Sequence, residues 1–376
     1  MTLLLRMICY FVIVLLICYS LLRYYHLWSR NNLPNTAYFV LQIIFLICLV
    51  ICQRKASLLP GGIFGSTFQG ISAVYFSIMV FTPILCFIRG AIRITGGRMK
   101  KHGKIYRFFN HPARSIYCFL VLTALLGGFA FFQMRHLVTT EYQVSLAKIS
   151  EDESMNIALI SDVHLGSGVT ENGLIKLIEK TNALNPDLIL LCGDIIDNNT
   201  SDRLRSACSK HLKSFRAKYG VFYIEGNKEA LINHYEKLFE ESNVKFLEDQ
   251  TIYLANGVQL IGLRDQSNKD KLPVEQVLLG MDSEKPIIVA SHRPVDLDKL
   301  AGAGTDLVLC GHTIGGQYPL GNFYARLSND MVYGQKKFDK MNAITTSGAG
   351  GYGVPVKFIS KSEIALVHVT FTKPTD

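Results

Sequence analysis

Carboxylate, amide or imidazole side chains occur at five places in the sequence, and three of these places begin with a glycine. They are Asp162-Val163-His164, Gly193-Asp194-Ile195-Ile196-Asp197, Gly226-Asn227-Lys228-Glu229, His292 and Gly311-His312. Such a mixture of oxygen and nitrogen donors suits Mn²⁺, Fe or Zn²⁺ better than it suits a metal that prefers thiolates. The nine cysteines form no CxxC pair, so a thiolate site is not indicated. The segments therefore predict a site for divalent metal ions, provided that the fold brings them together.

Each segment follows an apolar run of the length of a buried strand. The predicted strands are Asn156–Ser161, Leu188–Cys192, Val221–Ile224, Pro286–Ala290 and Asp306–Cys310. Ligands collect at the carboxyl ends of strands in α/β sheets. A single Asp-x-His or Gly-Asp segment is usually an ordinary turn, and a lone histidine is usually a core residue. The ordered set of five favours a metal site instead.

Other patterns complete a layered α/β domain. Apolar residues at helical spacing predict helices over Glu171–Leu184, Ser201–Lys218 and Ala230–Glu241. Asn256-Gly257 separates two β-rich runs and indicates a hairpin. Glu363–Thr370 is a late strand. The predicted organisation is a membrane region over residues 1–140, a linker over 141–155 and the α/β domain over 156–372.

The first 140 residues have a different composition from the rest. They contain 14 Lys and Arg and no acidic residue, whereas the remainder carries a net charge of −5. Four apolar runs of roughly 17–20 residues are long enough to cross a membrane as helices. They are Leu3–Leu22, Thr36–Cys52, Gly70–Ile88 and Ile116–Phe132. We therefore predict a four-helix transmembrane region and a multi-pass protein of the cell membrane.

The connections between these runs predict the orientation. The segment from Arg89 to Arg114 holds eight basic residues and no acid. Short loops rich in Lys and Arg stay in the cytoplasm, so the domain after the fourth span is expected to be extracytoplasmic. Because spans flank the basic segment, we expect it to lie at lipid headgroups, and we expect no nucleic-acid partner.

At this point the motifs resemble a known family. The series D-x-H, G-D-x-x-D, G-N-x-E, H and Gly311-His312-Thr313-Ile314-Gly315-Gly316-Gln317 is similar to that of the calcineurin-like metallophosphoesterases, in particular the bacterial membrane-anchored branch. The resemblance implies an αββα sandwich of two mixed sheets and two divalent ions, Mn, Fe or Zn. It implies that Asp162, His164 and the bridging Asp194 hold the first ion, and that Asp194, Asn227, His292 and His312 hold the second. It implies catalytic roles for Asp194, Asn227 and Lys228.

The sequence departs from the family pattern at two positions. Ile314 stands where the family usually has a second histidine that completes the first metal site, so we expect weaker binding there. Lys228 stands where histidine is usual; a lysine supplies charge more readily than a proton. Some relatives, the UDP-diacylglucosamine hydrolases of lipid A synthesis, carry an arginine at that place. Arg293 and Lys357 are further candidate phosphate contacts, with a solvated surface charge as the alternative for each.

Two functions are compatible with these residues. The first is a membrane-anchored, metal-dependent phosphoesterase that hydrolyses phosphodiester or pyrophosphate bonds by attack of a metal-activated hydroxide. Membrane lipids would be its surroundings, and a lipid-linked phosphoester is one candidate substrate. The alternative is a catalytically impaired relative that binds metal or phosphate as a sensor or scaffold, which Ile314 and Lys228 favour.

Overall fold

The computed structural model describes residues 63–98, 103–198, 200–232, 234–240 and 242–373. The chain divides after Phe131 into two compact units.

The first unit contains long apolar helices. Helix α1 is Ile63–Arg98, α2 is Lys104–Asn110, and α3, Pro112–Arg135, runs past the boundary between the units. Among the described residues, two segments are long and apolar enough to cross a membrane: Gln69–Thr95 and Tyr117–Arg135. They coincide with the third and fourth predicted spans. The first two predicted spans, Leu3–Leu22 and Thr36–Cys52, lie outside the described residues.

Helices α1 and α3 approach each other through small side chains. A Cβ added at Gly127 would come within 2.8 Å of the Val74 Cα atom. The hydroxyls of Thr82 and Thr123 lie 3.1 Å apart. Small residues and paired hydroxyls are the usual contacts between helices in a membrane, where no hydrophobic gain drives association.

The second unit contains two six-stranded sheets. Strands β1 to β5 are Leu137–Leu146, Ser154–Ile160, Leu188–Cys192, Val221–Ile224 and Val244–Phe246. Strands β6 to β12 are Gln250–Tyr253, Gln259–Leu263, Ile287–Ser291, Leu307–Cys310, Gly334–Phe338, Met341–Thr345 and Ser362–Phe371. The first sheet has the order β1-β12-β2-β3-β4-β5, and the second β10-β11-β9-β8-β7-β6. Both are mixed, because β2-β3-β4-β5 and β7-β8-β9-β11 run parallel while β12 opposes β2 and β6 opposes β7.

Helices cover the outer faces of the two sheets. These helices are α4, Glu171–Ala183, α5, Asp202–Leu212, α6, Val274–Val277, and α7, Leu297–Gly302; a further helix, α8, Pro319–Ser328, follows the loop after β9. Successive residues of a strand point to opposite faces. Thus Ile157 and Leu159 pack between the sheets, whereas Ala158 and Ile160 pack in the outer cluster that includes α4 and α5. Residues from α6 and α7 pack with the far face of the second sheet. The result is the predicted αββα sandwich.

The predicted strands and the Asn256-Gly257 hairpin are present to within two residues at each end. The helix predicted over Ala230–Glu241 is wrong: this stretch forms 3₁₀ turns at Glu229–Leu231 and Tyr235–Leu238, separated by His234 in the left-handed region at φ 57°. An aromatic cluster explains this, since Tyr235 and Phe239 pack on Tyr223. The helix predicted over Ser201–Lys218 ends at Leu212.

The predicted linker over 141–155 also differs from the structure. Leu137–Leu146 forms the edge strand β1, which pairs in parallel with β12 over ten residues. The strand therefore crosses the predicted boundary at residue 140, and the chain goes from α3 to β1 with only His136 between them.

Candidate metal centre

The predicted donors lie at one edge of the sandwich. Asp162 and His164 follow β2, Asp194 follows β3, Asn227 follows β4, His292 follows β8 and His312 follows β9. Asp162, His164, Asp194 and His312 all have positive φ, between 47° and 70°. Backbone conformations that non-glycine residues rarely adopt cluster at functional sites. Strands β2, β3 and β9 thus turn sharply where they end, at the residues that carry these four donor side chains.

Two glycines allow these turns to touch. Gly193 has φ 74°, and a Cβ on it would lie 2.5 Å from the Gly226 Cα atom. A Cβ on Gly226 would lie 2.3 Å from the Asp194 nitrogen. Real Cβ atoms do not come this close, so the G-D and G-N pairs of the sequence are requirements of packing.

The first donor cluster consists of Asp162, His164 and Asp194. All three are buried, and one donor atom from each lies within 4.8 Å of the others. His164 Nε2 lies 3.5 Å from Asp194 Oδ2 and 3.9 Å from Asp162 Oδ1. Asp162 Oδ1 and His164 Nε2 have no hydrogen-bond partner. Buried polar atoms without partners are costly, so these atoms fit a bound cation.

The charges around His164 agree with this. Burial works to lower the pKa of His164, but the nearby carboxylates of Asp197, Asp194 and Asp162 raise it above its usual value. The environment is therefore strongly negative around a buried ring. A divalent ion would compensate that charge.

The second donor cluster consists of Asn227, His292 and His312, beside Asp194. Asn227 Oδ1 lies 3.1 Å from His292 Nε2 and 3.1 Å from His312 Nδ1, and the two ring nitrogens lie 3.2 Å apart. His292 Nε2 lies 3.6 Å from Asp194 Oδ1. His292 Nδ1 lies 2.8 Å from the Cys192 carbonyl oxygen. A carbonyl only accepts, so Nδ1 donates and Nε2 keeps a free lone pair, as a metal ligand requires.

His312 is neutral at pH 7. Burial, together with the neighbouring His292, lowers the pKa of His312 to about 2. Its backbone N–H donates to Asp162 Oδ2 at 2.8 Å, which ties the two donor clusters together. Both clusters thus offer electron pairs to a common region and fit two divalent ions.

Ile314 lies in the loop that follows His312. It is buried, with φ 53°, a conformation that a β-branched residue adopts only under strain. Ser360 Oγ donates to its carbonyl oxygen at 2.8 Å. The loop therefore keeps its sharp turn, while this position contributes no donor atom.

Glu229 has a role that sequence reasoning missed. It is fully buried, and its carboxylate accepts hydrogen bonds from the N–H groups of Asp194, Ile195 and Ile196 at 2.6–3.0 Å. Burial and the charge of Asp194 raise the pKa of Glu229, while the amide donors act in the opposite direction. Glu229 therefore fixes the turn that carries Asp194. Its place in G-N-x-E was the available signal.

Lys228 and Tyr352 lie together at the site. The Lys228 Nζ atom lies 4.4 Å from the centre of the Tyr352 ring, and that ring lies 5.1 Å from the His164 ring. The Lys228 backbone N–H donates to Asp194 Oδ1 at 2.8 Å. A cation over an aromatic face is stabilised by the ring. The predicted catalytic lysine is therefore at the site, and Tyr352, which carried no sequence signal, accompanies it.

Two other predicted residues have structural partners. Asp197 Oδ2 accepts from Ser167 Oγ at 2.9 Å and lies 3.5 Å from His164 Nδ1, where it orients the ring. Arg293 Nε donates to Asp265 Oδ2 at 2.7 Å. Burial opposes ionisation of Asp265, but His292 and Arg293 lower its pKa to about 2.

Lys357 is neither a phosphate contact nor a surface charge. It is completely buried, and its Nζ donates to the carbonyl oxygens of Ser347, Gly348 and Lys361 at 2.7–3.1 Å. A Cβ on Gly348 would lie 2.8 Å from the Asp162 Cβ. Lys357 thus supports the turn that packs against Asp162. Sequence reasoning missed this because a lone lysine in a loop predicts exposure.

An αββα sandwich with these donors at its strand ends defines the metallophosphoesterase class. Residues 155–315 match the family model of the calcineurin-like phosphoesterases. This stretch of the chain is therefore a calcineurin-like phosphoesterase domain, the kind of domain found in metal-dependent phosphoester hydrolases.

The chain is similar to several metallophosphoesterases. An uncharacterized one from Campylobacter jejuni is 28% identical over 309 residues, covering 77% of this chain and 80% of that protein. A transmembrane protein with metallophosphoesterase domain from Danio rerio is 28% identical over 270 residues, covering 65% of this chain and 60% of that protein. Among solved structures, the protein TT1561 of Thermus thermophilus aligns over 51% of this chain and 88% of its own, with 14% identity and a TM-score of 0.36.

Glu229→Gln tests whether Glu229 positions the metal donors. The amide keeps one acceptor oxygen but directs N–H groups at the backbone donors, so the Asp194 turn loosens. We expect Mn²⁺ affinity, measured by calorimetry, to fall by about 10–100-fold. Glu225→Gln is the control, because Glu225 is equally buried but bonds to Tyr235 and Asn268 instead. Equal affinities in the two variants would contradict the assignment.

Lys357 predicts a pH dependence of stability. Burial lowers the pKa of Lys357 to about 7 from 10.5, against the opposing influence of Asp162 and Glu363. Between these values the unfolded chain binds a proton that the folded chain does not, so the free energy of unfolding rises with pH, by at most about 1.4 kcal/mol per pH unit. Below pH 7 this dependence vanishes. Thermal unfolding measured across this range should show a shallower rise for Lys357→Met; equal slopes would refute the prediction.

Proposed function

We propose that the protein is a membrane-anchored hydrolase of phosphodiester or pyrophosphate bonds. The observation that carries the proposal is the convergence of two clusters of possible metal ligands on Asp194. One contains buried atoms without hydrogen-bond partners, and the other contains an amide oxygen and two imidazole nitrogens 3.1–3.2 Å apart. Asp162, His164 and Asp194 would hold one divalent ion. Asp194, Asn227, His292 and His312 would hold the second. When bound, such a pair supplies an acidified water and neutralises phosphoryl charge.

The chain's own residues supply the rest of the chemistry. Lys228, held over Tyr352, would place a positive charge beside the phosphoryl oxygens or the leaving oxygen. This arrangement favours leaving groups that need little protonation, such as a nucleoside phosphate. The Cys192 carbonyl keeps His292 in the tautomer that binds an ion. Glu229 and Asp197 hold Asp194 and His164 in place.

The anchor suggests where this reaction occurs. Two candidate spans and the similarity to transmembrane relatives associate the chain with a membrane. A multi-pass anchor with the domain on the extracytoplasmic side follows from the basic loop between α1 and α3. Confinement to that surface makes a lipid-linked phosphoester an attractive substrate.

Ile314 supports the alternative function, a metal or phosphate sensor with little turnover. The first cluster has three protein donors, and the strained Ile314 loop adds none. Weak occupancy of the first position would leave the second ion alone. A metal titration of activity separates the two functions.

Asp194→Asn is the decisive variant for catalysis. The full chain in detergent should hydrolyse bis(4-nitrophenyl) phosphate only with added Mn²⁺, at high concentration. Because Asp194 contributes to both clusters, its loss should lower the rate by at least about a hundredfold, more than the loss of an outer partner does. Asp270→Asn, the same change at an exposed position, should leave the rate intact. Equal residual rates in both variants would remove the enzyme proposal.

Ile314→His tests the weakened first site. If the missing ligand limits binding, the added imidazole should lower the Mn²⁺ concentration needed for half-maximal binding by roughly tenfold, measured by calorimetry and by activity. Ile149→His adds a histidine at an exposed position away from the donors and should change neither. Unchanged binding in Ile314→His would mean that position 314 does not face the first ion.

A further inference from the structure

Helix α8 presents an apolar face to solvent directly after the loop Gly311–Gln317, here called the metal loop because it carries His312. Phe323, Tyr324 and Leu327 are 66%, 62% and 71% exposed. They lie three and four positions apart, so they share one face of the helix. On the opposite face, Ala325 is buried and Asn322 abuts Gly316 of the metal loop. Contiguous exposed apolar side chains on a helix are typical of surfaces that bind a partner or a membrane.

Positive charge flanks this face. A pocket beside α8 is lined by residues that include Arg326, Lys336, Tyr333, Ile359 and Asp330. Lys336 and Lys337 are exposed. Apolar side chains with adjacent Lys and Arg are the combination by which interfacial helices bind membranes that contain anionic lipids.

Contacts around the loop that carries Tyr352 link the start of α8 to the last turn of α3, where the candidate span ends. Met134, in the last turn of α3, accepts a hydrogen bond from Ser362 Oγ at 2.7 Å. A Cβ on Gly351 would lie 3.3 Å from Met134 Cε and 3.4 Å from Gln317 Cδ. Gln317 Nε2 and the Tyr318 hydroxyl, at the start of α8, bond to the Tyr352 carbonyl oxygen. The last turn of α3 and the start of α8 therefore meet at the loop that carries Tyr352.

The short connection between α3 and β1 restricts what can cover the apolar face of α8. The candidate span ends at Arg135, and β1 begins at Leu137. One intervening residue spans only about 3.5 Å. The site is thus held within a short distance of the headgroups, because the loop of Tyr352 packs on Met134. The surface of that same membrane is therefore always available to cover the apolar face of α8.

We propose that α8 docks on the surface of the membrane that α3 crosses and presents the metal loop to phosphoesters in lipid headgroups. This inference rests on the proposed function for its substrate class. Phe323, Tyr324 and Leu327 insert at the headgroup boundary, and Arg326 and Lys336 contact lipid phosphates. A lipid would then reach the donors laterally, without leaving the bilayer.

Fluorescence quenching tests the docking itself. The only tryptophan, Trp28, is replaced by Phe, and Phe323→Trp provides a reporter in the full chain. The protein is reconstituted in vesicles of phosphatidylcholine and phosphatidylglycerol, with brominated phosphatidylcholine as the quencher. Tyr253→Trp is the control, since Tyr253 is 65% exposed and pairs with Gln259 at the amino end of β7, opposite the metal edge. We expect strong quenching of the Phe323 reporter only.

Two outcomes would overturn the docking. Equal quenching of both reporters would show that α8 has no special contact with lipid. A Phe323 reporter shielded from both bromolipid and aqueous iodide would indicate a protein partner instead of a lipid surface.

A substrate pair tests the consequence for activity. Methyl 4-nitrophenyl phosphate is soluble, whereas hexadecyl 4-nitrophenyl phosphate partitions into vesicles; in both, water attacks phosphorus and 4-nitrophenolate leaves. Phe323→Ser with Leu327→Ser should lower the rate on the hexadecyl ester by roughly tenfold or more and leave the methyl ester unaffected. Tyr253→Ser with Leu279→Ser, which removes side chains 65% and 79% exposed, should change neither.

The substrate pair distinguishes failure of the membrane-docking proposal from failure of the proposed catalytic function. Equal hexadecyl-to-methyl ratios in the two double variants would overturn the proposal of headgroup access. If Asp194→Asn and the unmodified chain hydrolyse both esters equally slowly, the catalytic proposal fails, and the quenching experiment still decides the docking.

Discussion

The architecture depends on the cost of burying carboxylate, amide and imidazole groups close together. Asp162 Oδ1 and His164 Nε2 are enclosed without a hydrogen-bond partner. In the second cluster an amide oxygen and two imidazole nitrogens face each other at 3.1–3.2 Å. Such a centre is stable only when a cation or a proton neutralises it. Metal binding and folding of this edge are therefore coupled.

Hydrogen bonds from the surrounding structure hold these donor side chains in place. Glu229 fixes three consecutive amides of the Asp194 turn, and Lys357 fixes three carbonyls near Asp162. Positive φ angles at Asp162, His164, Asp194 and His312 show that strands β2, β3 and β9 end in strained turns. Because Glu229 and Lys357 are both buried, they are costly to replace, so the site and the stability of the sandwich depend on the same interactions.

The sequence was most informative where periodicity and donor type coincided. Leu188–Cys192 was predicted with its bounds, and the donors at the strand ends are brought together as expected. Prediction failed where tertiary contacts decide the conformation. The 230–241 stretch has helical spacing, yet packing of Tyr235 and Phe239 on Tyr223 favours separate turns. Strand β1 falls partly in the predicted membrane region and partly in the predicted linker, because its partner, β12, lies more than two hundred residues away in sequence. Glu229 and Lys357 could not be assigned, since their roles depend on backbone groups that the sequence does not reveal.

The central claim is that Asp194 lies between two metal ions. Anomalous diffraction at the Mn absorption edge, from crystals of the full chain grown with MnCl₂, tests it most directly. We expect a strong peak among Asp194, Asn227, His292 and His312, and a weaker one among Asp162, His164 and Asp194, because Ile314 adds no ligand. A map without anomalous density at Asp194, with His292 and His312 bonded to each other in the same crystal, would contradict the account.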